Sequence, residues 1–316
     1  MAFVWILLGF VFLVIGGEFL VRSSVALSLK LNIPKLIIGM TVVAFTASVP
    51  DILVSLRAVL DGSSDIALGN IIGSNIANVG LILGLTAFIF PMVIDKSFNG
   101  FIWSITMLFT VALYFLLKSG HVLDRREGVA LVLSLIVFIV LAIHRSKNKV
   151  DAPIVQLDQS LQAVTGFKIA IWLIIGAVTL YFGSGWLVFG AQQIAVSLGF
   201  SERVIAVTVV AIGTSVPILA TSLMAAFKKE HSLSVGNLIG ANIFNVGAVL
   251  GITAMIHPID VKNTQILNND MLWMIGFAFV VLFLAFLPKK LVIGKFKAIF
   301  LLVLYFAFIV SVLYAP

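Results

Sequence analysis

Ten runs of apolar residues, separated by short polar segments, follow one another along the chain. Each run is close to the ~20 residues that an α-helix needs to cross the hydrocarbon core of a bilayer. Because backbone polar groups in lipid must bond within their own segment, the runs predict membrane-spanning helices. They cover residues 3–21, 36–60, 66–90, 98–117, 128–144, 168–188, 203–227, 233–256, 270–287 and 296–314.

Composition agrees with an integral membrane protein. Of the 316 residues, 61% are hydrophobic and 10% are charged, whereas soluble domains are about 25% charged. The absence of cysteine excludes disulfides and thiolate metal sites. The four histidines are too scattered for a transition-metal site, and no nucleophile–base set or phosphate loop appears, so we expect neither an enzyme nor a cofactor. The first run begins at Ala2 without a preceding basic segment, which favours a retained helix over a cleaved signal peptide.

Lysine and arginine predict the orientation, because cytoplasmic loops are enriched in them. With the N-terminus outside, fourteen basic residues fall in cytoplasmic loops and five in external loops. This predicts a multi-pass protein of the cell (plasma) membrane, with both termini outside and the central loop in the cytoplasm. The external set is Lys118, Arg125, Arg126, Arg203 and Lys262, and the cytoplasmic set is Arg22, Lys30, Lys35, Lys96, Arg145, Lys147, Lys149, Lys168, Lys228, Lys229, Lys289, Lys290, Lys295 and Lys297.

The chain contains an internal repeat. A shift of 167 residues places 41–56 on 208–223 without a gap. The same shift places 69–91 on 236–258. Hydrophobic bias alone would not bring polar and small residues into register, so the repeat indicates a duplication. Identical pairs include Ser48 with Ser215, Pro50 with Pro217, Gly69 with Gly236, Gly73 with Gly240, and Asn78 with Asn245.

Each copy holds five spans, so the second copy must enter the membrane from the opposite side. This predicts an all-α membrane protein of ten helices in two inverted five-helix repeats, at 1–145 and 168–316, joined by a cytoplasmic linker at 146–167. Transporters with this organisation bind their substrates near the bilayer midplane, at interrupted helices. The most similar segments here are spans 2 and 3 and their counterparts, spans 7 and 8.

The repeated segments are rich in oxygen donors. Pro50 leaves the Thr46 carbonyl without its helical partner and should open that turn, and Pro217 acts in the same way on the Gly213 carbonyl. Gly69 and Gly73, with Gly236 and Gly240, should let helices approach closely. Oxygen ligands suit Na⁺ and Ca²⁺. The hydroxyl and amide groups at this level are those of Ser48, Thr214, Ser215, Ser74, Asn78 and Asn245.

Asp51 is the most informative single residue. It lies midway along an apolar span, where a charge costs at least ~2.5 kcal/mol, so it should serve the transport path or pair with a cation. No basic residue lies at depth in the repeated segments, and Arg57 is near the helix end. Glu18, in contrast, is expected to pair with Arg22 one turn on. The asparagines expected to cap or cross-link helices are Asn70, Asn75, Asn237 and Asn242.

The two blocks resemble the α-repeats of the cation/Ca²⁺ exchanger superfamily, in particular the prokaryotic sodium/calcium exchangers. The pattern there is roughly G-T-S-x-P-E followed by G-N-x-x-G-S-N-x-x-[ND], in each copy. The resemblance implies secondary active exchange of Na⁺ for Ca²⁺ by alternating access, with spans 1 and 6 sliding and the ions bound between spans 2, 3, 7 and 8. The positions that match its ligands are Ala44 and Ala211 through their carbonyls, Ala47, Ser48, Asp51, Ser74, Asn78, Thr214, Ser215, Ile218, Ala241 and Asn245.

Several of these positions depart from the pattern. Ala47 lacks the usual hydroxyl, which the neighbouring Thr46 supplies, and Ala241 replaces a serine. Ile218 stands where the second carboxylate is usual, so Asp51 is alone. A Ca²⁺ ion beside one carboxylate keeps an uncompensated charge, which is costly in the membrane. Three interpretations stay open: a Na⁺/Ca²⁺ exchanger, a monovalent cation (Na⁺ or K⁺)/H⁺ antiporter on the same scaffold, and a membrane protein that binds ions without transport. Each implies small inorganic cations and the bilayer as partners, no nucleic acid, and function as a monomer.

Overall fold

The computed structural model describes residues 2–93, 101–147, 161, 163–198, 211–286 and 292–314. Almost all of this part is helical. Among the described residues, nine helices are long and apolar enough to cross a membrane. The helices, in chain order, are α1 (Ala2–Leu31), α2 (Lys35–Leu60), α3 (Ser64–Ile89), α4 (Ile102–Gly120), α5 (Arg125–Lys147), α6 (Gly166–Ser197), α7 (Ala211–Phe227), α8 (His231–Ile256), α9 (a π-helical turn at Ile266–Asp270, then Met271–Phe286) and α10 (Lys295–Tyr314).

Each predicted span therefore has a helix, and the chain is an all-α, multi-pass membrane protein. The predicted starts at 98 and 203 lie outside the described residues, as do Lys96, Lys149, Arg203, Lys289 and Lys290 and most of the predicted linker. Helix α1 runs ten residues beyond the predicted end at residue 21. Its polar residues Ser23, Ser24 and Ser28 are buried, so they continue the helix inside the protein instead of ending it.

The chain divides into two compact units. The first contains residues 1–47 with 142–237, and the second contains residues 48–141 with 238–316. In the first unit, α1 and α6 pack along each other through glycines spaced seven residues apart. A Cβ on Gly183 would lie 2.9 Å from the backbone nitrogen of Leu13, and one on Gly176 would lie 3.0 Å from that of Leu20. The two backbones are therefore in direct contact.

Ion pairs connect α1 and α2 to the segment between α7 and α8 in the first unit. The predicted Glu18–Arg22 pair is present, with an Nε–Oε1 distance of 2.5 Å. Glu18 also pairs with Lys228, which follows α7, again at 2.5 Å. Lys35 at the start of α2 pairs with Glu230 at 2.6 Å. These contacts place the α1–α2 and α7–α8 connections on the same side of the membrane.

In the second unit, helices of one repeat pack on helices of the other. Gly247 of α8 faces Leu135 of α5 and Phe109 of α4, where a Cβ would come within 2.9 Å of each side chain. The equivalent glycine of α3, Gly80, faces Phe277 of α9 and Tyr305 of α10 at 2.8 Å. Four short strands also pair between the two repeats. β1 (Met92–Val93) pairs with β4 (Val292–Ile293), and β2 (Val122–Leu123) pairs with β3 (Ile259–Asp260).

The strand pairs constrain whether an even or an odd number of membrane crossings separates the paired strands. Within the described residues, six helices lie between β1 and β4, and four lie between β2 and β3. Paired strands lie on one side of a membrane, so an even number of crossings must separate them. Both pairs meet this condition when each helix crosses once, as two inverted five-helix repeats require.

Two local predictions are wrong. α2 continues through Pro50 as a regular helix from Ala44 to Leu60, and α7 likewise continues through Pro217. The irregularity in α2 lies earlier, in a π-helical turn at Gly39–Val43. A Cβ on Gly69 or Gly73 would meet nothing within 4 Å, so the expected close helix approach is absent there in the part of the chain that the structure describes. It is present at Gly236, where a Cβ would overlap the Leu36 carbonyl oxygen.

Candidate functional site

Asp51 is completely buried in α2, with 0% of its surface exposed. Asn70 of α3 donates a hydrogen bond of 3.4 Å from Nδ2 to its Oδ1, whereas Oδ2 has no hydrogen-bond partner among the described residues. No ion pair in the described part of the chain includes Asp51, and Arg57 pairs instead with Asp61 at 2.8 Å. A buried carboxylate without a cationic partner is costly, so its charge calls for a bound cation or a proton.

Six side chains of the predicted site share one property. Each is buried and carries an oxygen without a hydrogen-bond partner among the described residues, whereas most buried polar groups in proteins are paired. Such oxygens are available to coordinate a hard cation. Other buried oxygens, including that of Ser55, also lack partners within the described ranges, so this property alone does not define the site. The six are Ser48, Asp51, Ser74, Asn78, Ser215 and Asn245.

The remaining predicted ligands have other surroundings. Thr46 is half-buried and its hydroxyl donates to the Val42 carbonyl at 2.7 Å, which leaves lone pairs on its oxygen. Ala44 is buried and directly follows the π-helical turn of α2. Ala211 begins the described part of α7, and Thr214 is half-buried one turn later. Ala44, Thr46, Ala211, Thr214 and Ser215 belong to the first unit, and the other five predicted residues belong to the second.

Four asparagines join α3 to α8 within the second unit. Asn75 donates from Nδ2 to the Asn242 carbonyl at 3.3 Å, and Asn242 donates to the Asn75 carbonyl at 3.2 Å. Asn78 donates to Asn242 Oδ1 at 2.8 Å, and Asn245 donates to Asn75 Oδ1 at 2.9 Å. The prediction that Asn75 and Asn242 cross-link helices is confirmed. A π-helical turn begins at each outer member of the cluster, at Asn78–Leu83 and Asn245–Leu250.

The second-repeat counterpart of Asp51 has a neutral environment. Ile218 is fully buried. Asn237, the counterpart of Asn70, donates to Thr221 Oγ1 at 2.8 Å and to Ser222 Oγ at 2.9 Å. The amide that contacts a carboxylate in the first copy therefore contacts hydroxyls in the second. Thr221 was not predicted as a site residue. The alignment of the repeats could have indicated it, because a hydroxyl at 221 replaces the apolar Val54 at the matching position of the first copy.

These features are those of a membrane protein built from two inverted repeats, with buried oxygens that lack hydrogen-bond partners among the described residues. A family model described as sodium/calcium exchanger protein matches residues 1–144 and 168–314, and the chain belongs to this family. Its members are transporters that carry Na⁺ and Ca²⁺ as cargo, and they are not enzymes. The resemblance inferred from the repeated motifs is thereby confirmed.

Individual relatives match over most of their length. The putative antiporter CaxA of Alkalimonas amylolytica is 34% identical over 81% of this chain and 81% of its own. The sodium/calcium exchanger MaX1 of Methanosarcina acetivorans is 27% identical over 99% of this chain and 98% of its own. Among solved structures, the sodium-calcium exchanger NCX_Mj, soaked with zero Na⁺ and Ca²⁺, has a TM-score of 0.83 and 30% identity over 98% of both chains.

Proposed function

We propose that the chain is a secondary active antiporter that exchanges Na⁺ for Ca²⁺ by alternating access. The observation that carries the proposal is Asp51, a fully buried carboxylate with one unpartnered oxygen and no ion pair among the described residues. When this carboxylate is ionised, its charge requires a counter-ion, and a transported cation can serve as one. MaX1 and NCX_Mj, which match over nearly the whole chain, are both named sodium/calcium exchangers, which supports the choice of ions.

The proposed cation ligands come from α2, α3, α7 and α8, at a depth near the bilayer midplane. They are acceptor oxygens without exception, which favours Na⁺ and Ca²⁺ over softer metals. The set is Asp51, Ser48, Thr46, Ser74, Asn78, Thr214, Ser215 and Asn245 through their side chains, and Ala44 and Ala211 through their carbonyls.

A second candidate function is exchange of a monovalent cation, Na⁺ or K⁺, for protons. The observation that favours it is the neutral cluster around Ile218, where Asn237 is occupied by Thr221 and Ser222. With Asp51 as the one acidic ligand position, a monovalent cation or a proton balances the charge, whereas Ca²⁺ leaves one positive charge uncompensated. Protonation of Asp51 would then couple the two fluxes.

Reconstituted liposomes separate the two functions. Vesicles loaded with Na⁺ and diluted into Na⁺-free buffer should take up labelled Ca²⁺, and collapse of the Na⁺ gradient with an ionophore should abolish the uptake. Lack of Ca²⁺ uptake together with a Na⁺- or K⁺-driven proton flux, read with an internal pH dye, would overturn Na⁺/Ca²⁺ exchange and establish the second function. Absence of every flux would support a protein that binds ions without transport.

We also propose that the protein acts as a monomer in the cell membrane, with both termini outside. One chain supplies both copies of the repeat, so a single molecule holds every proposed ligand. The proposed repeats are 1–145 and 168–316, and the proposed cytoplasmic linker is 146–167, of which residues 148–160 and 162 lie outside the described part.

A further inference from the structure

In the asparagine cluster each hydrogen bond has a fixed donor and a fixed acceptor, because an amide nitrogen donates and a carbonyl oxygen accepts. We propose that Asn75 and Asn242 are positioning residues, which hold the amides of Asn78 and Asn245 so that their oxygens face the transported cation. The inference rests on the proposed function, because it assigns a role within the same cation site. It concerns Asn75 and Asn242, the two members of the cluster that are not proposed ligands.

The cluster contains two symmetric chains of hydrogen bonds. The first chain starts at the backbone of Asn75. Its carbonyl can only accept a hydrogen bond, so Asn242 must turn its Nδ2 toward it, at 3.2 Å. The Oδ1 of Asn242 then faces Asn78, which can approach only with its own Nδ2, at 2.8 Å. The Oδ1 of Asn78 is consequently left buried and without a partner among the described residues.

The second chain of hydrogen bonds is the symmetric counterpart of the first. The carbonyl of Asn242 accepts from Nδ2 of Asn75 at 3.3 Å, which directs the Oδ1 of Asn75 toward Asn245. Asn245 donates to that oxygen at 2.9 Å, and its own Oδ1 is left without a partner in the part of the chain that the structure describes. Two backbone carbonyls thus determine, through one intervening amide each, which end of each ligand amide stays free.

The orientation matters because an amide has one end that attracts a cation and one that repels it. A rotated Asn245 would present its NH₂ group in place of its oxygen. It would also set its Oδ1 against the Oδ1 of Asn75, with no proton between them. The cluster is almost completely buried, so water cannot restore the lost hydrogen bonds. These hydrogen bonds therefore favour cations over anions before any ion arrives.

Substitution in two backgrounds tests the role. In the wild-type protein, Asn75→Ala removes the acceptor that orients Asn245, and we expect the apparent affinity for Na⁺ and Ca²⁺ to fall about tenfold, near the contribution of one hydrogen bond to a charged group. In an Asn245→Asp protein both terminal atoms are oxygens, and the Oδ1 of Asn75 repels them. There Asn75→Ala should leave the affinity unchanged or raise it.

Affinity is read from the Na⁺ and Ca²⁺ dependence of thermal unfolding of the purified protein and from the KM of transport. The pair Asn242→Ala and Asn78→Asp repeats the comparison on the symmetric half, and serves where an Asn75 variant fails to fold. Thr110→Val, a buried hydroxyl on α4 bonded to its own helix, controls for loss of a polar group.

Equal losses in both backgrounds would show that Asn75 only cross-links the helices, and would overturn the positioning role while the proposed function stands. Absence of any cation-dependent stabilisation in the wild-type protein would overturn the proposed function and the positioning role together. A loss of affinity that appears in the wild-type background and is absent in the Asn245→Asp background is the result that a purely structural role does not produce.

Discussion

Asn70 lies with its Nδ2 3.4 Å from Oδ1 of Asp51, and this contact joins α2 to α3 in the first repeat. The second repeat keeps the asparagine, as Asn237, but gives it Thr221 and Ser222 as partners. The duplication has therefore preserved the amide and changed the charge of its neighbour. A protein that began with two equivalent halves now has an acidic half and a neutral half at this level.

Asp51→Asn should abolish cation exchange. The substitution keeps the shape and removes the charge that balances the cation, an interaction of several kcal/mol at short range, so we expect at least a 100-fold loss of transport rate. Initial rates of Na⁺-driven Ca²⁺ uptake into liposomes measure the effect, with protein content matched. Asp51→Glu should retain part of the activity.

The matched control for this substitution is Asp61→Asn. Asp61 pairs with Arg57 at the exposed end of the same helix, and exposed pairs contribute ~0.2–1 kcal/mol. Its removal should leave the rate within about twofold of wild type. Comparable losses from both substitutions would show that α2 tolerates no change of charge, and would remove the special role of Asp51.

Ile218→Asp should make folding stability depend on cations. It places a second carboxylate in fully buried surroundings, which should cost about 3 kcal/mol in cation-free buffer. Ca²⁺ should recover much of this loss if the new carboxylate reaches the cation, because position 218 matches a ligand position in the repeat pattern of the sodium/calcium exchangers. The melting temperature with and without Ca²⁺ measures it, and Ile218→Asn is the neutral control. Equal responses of both variants to Ca²⁺ would contradict the assignment.

Gly183→Ala should destabilise the pair of helices α1 and α6. The added Cβ would lie 2.9 Å from the Leu13 backbone nitrogen and 3.0 Å from the Gly9 carbonyl oxygen, and backbone cannot move aside cheaply. We expect a loss of ~1–3 kcal/mol. Gly185→Ala, two residues along the same helix, meets nothing within 4 Å and should be neutral or stabilising by up to ~1 kcal/mol. Urea unfolding in detergent compares them, and similar values would contradict direct backbone packing.

Single cysteines can test the orientation, because the chain has none of its own. Asp61→Cys lies in the α2–α3 connection, which the charge distribution places outside, and Leu31→Cys precedes the α1–α2 connection, which it places in the cytoplasm. Both residues are exposed. A membrane-impermeant maleimide should label Asp61→Cys in intact cells and Leu31→Cys only after lysis. The opposite pattern would reverse the proposed orientation.

The sequence predicted the helices well, since membrane spans depend on a property that each residue carries by itself. It also predicted Glu18–Arg22, a local pair. It could not predict Lys228 as a second partner of Glu18, because that contact joins residues 210 positions apart. The π-helical turns at Asn78 and Asn245 were missed because one extra residue per turn leaves no mark on hydrophobicity.

The candidate site was predicted by chemistry more than by geometry. Comparison of the repeats singled out Asp51 and the asparagines, because polar residues inside apolar runs need a reason. The effect of Pro50 was overestimated: the helix continues past it, and the irregular turn lies at Gly39–Val43 instead. A missing N–H removes one hydrogen bond, and the surrounding helices decide whether the backbone then opens.

The strand pairs and glycine contacts between the two repeats have a consequence for biosynthesis. α4 and α5 leave the ribosome long before Gly247 of α8, which packs on both of them through Phe109 and Leu135. Lys147 ends α5, and Gly247 follows 100 residues later. At ~5–20 residues per second, this interval is roughly 5 to 20 s. During translation these two helices remain in the bilayer without their partner, so the nascent first half cannot mature until the second half has been inserted.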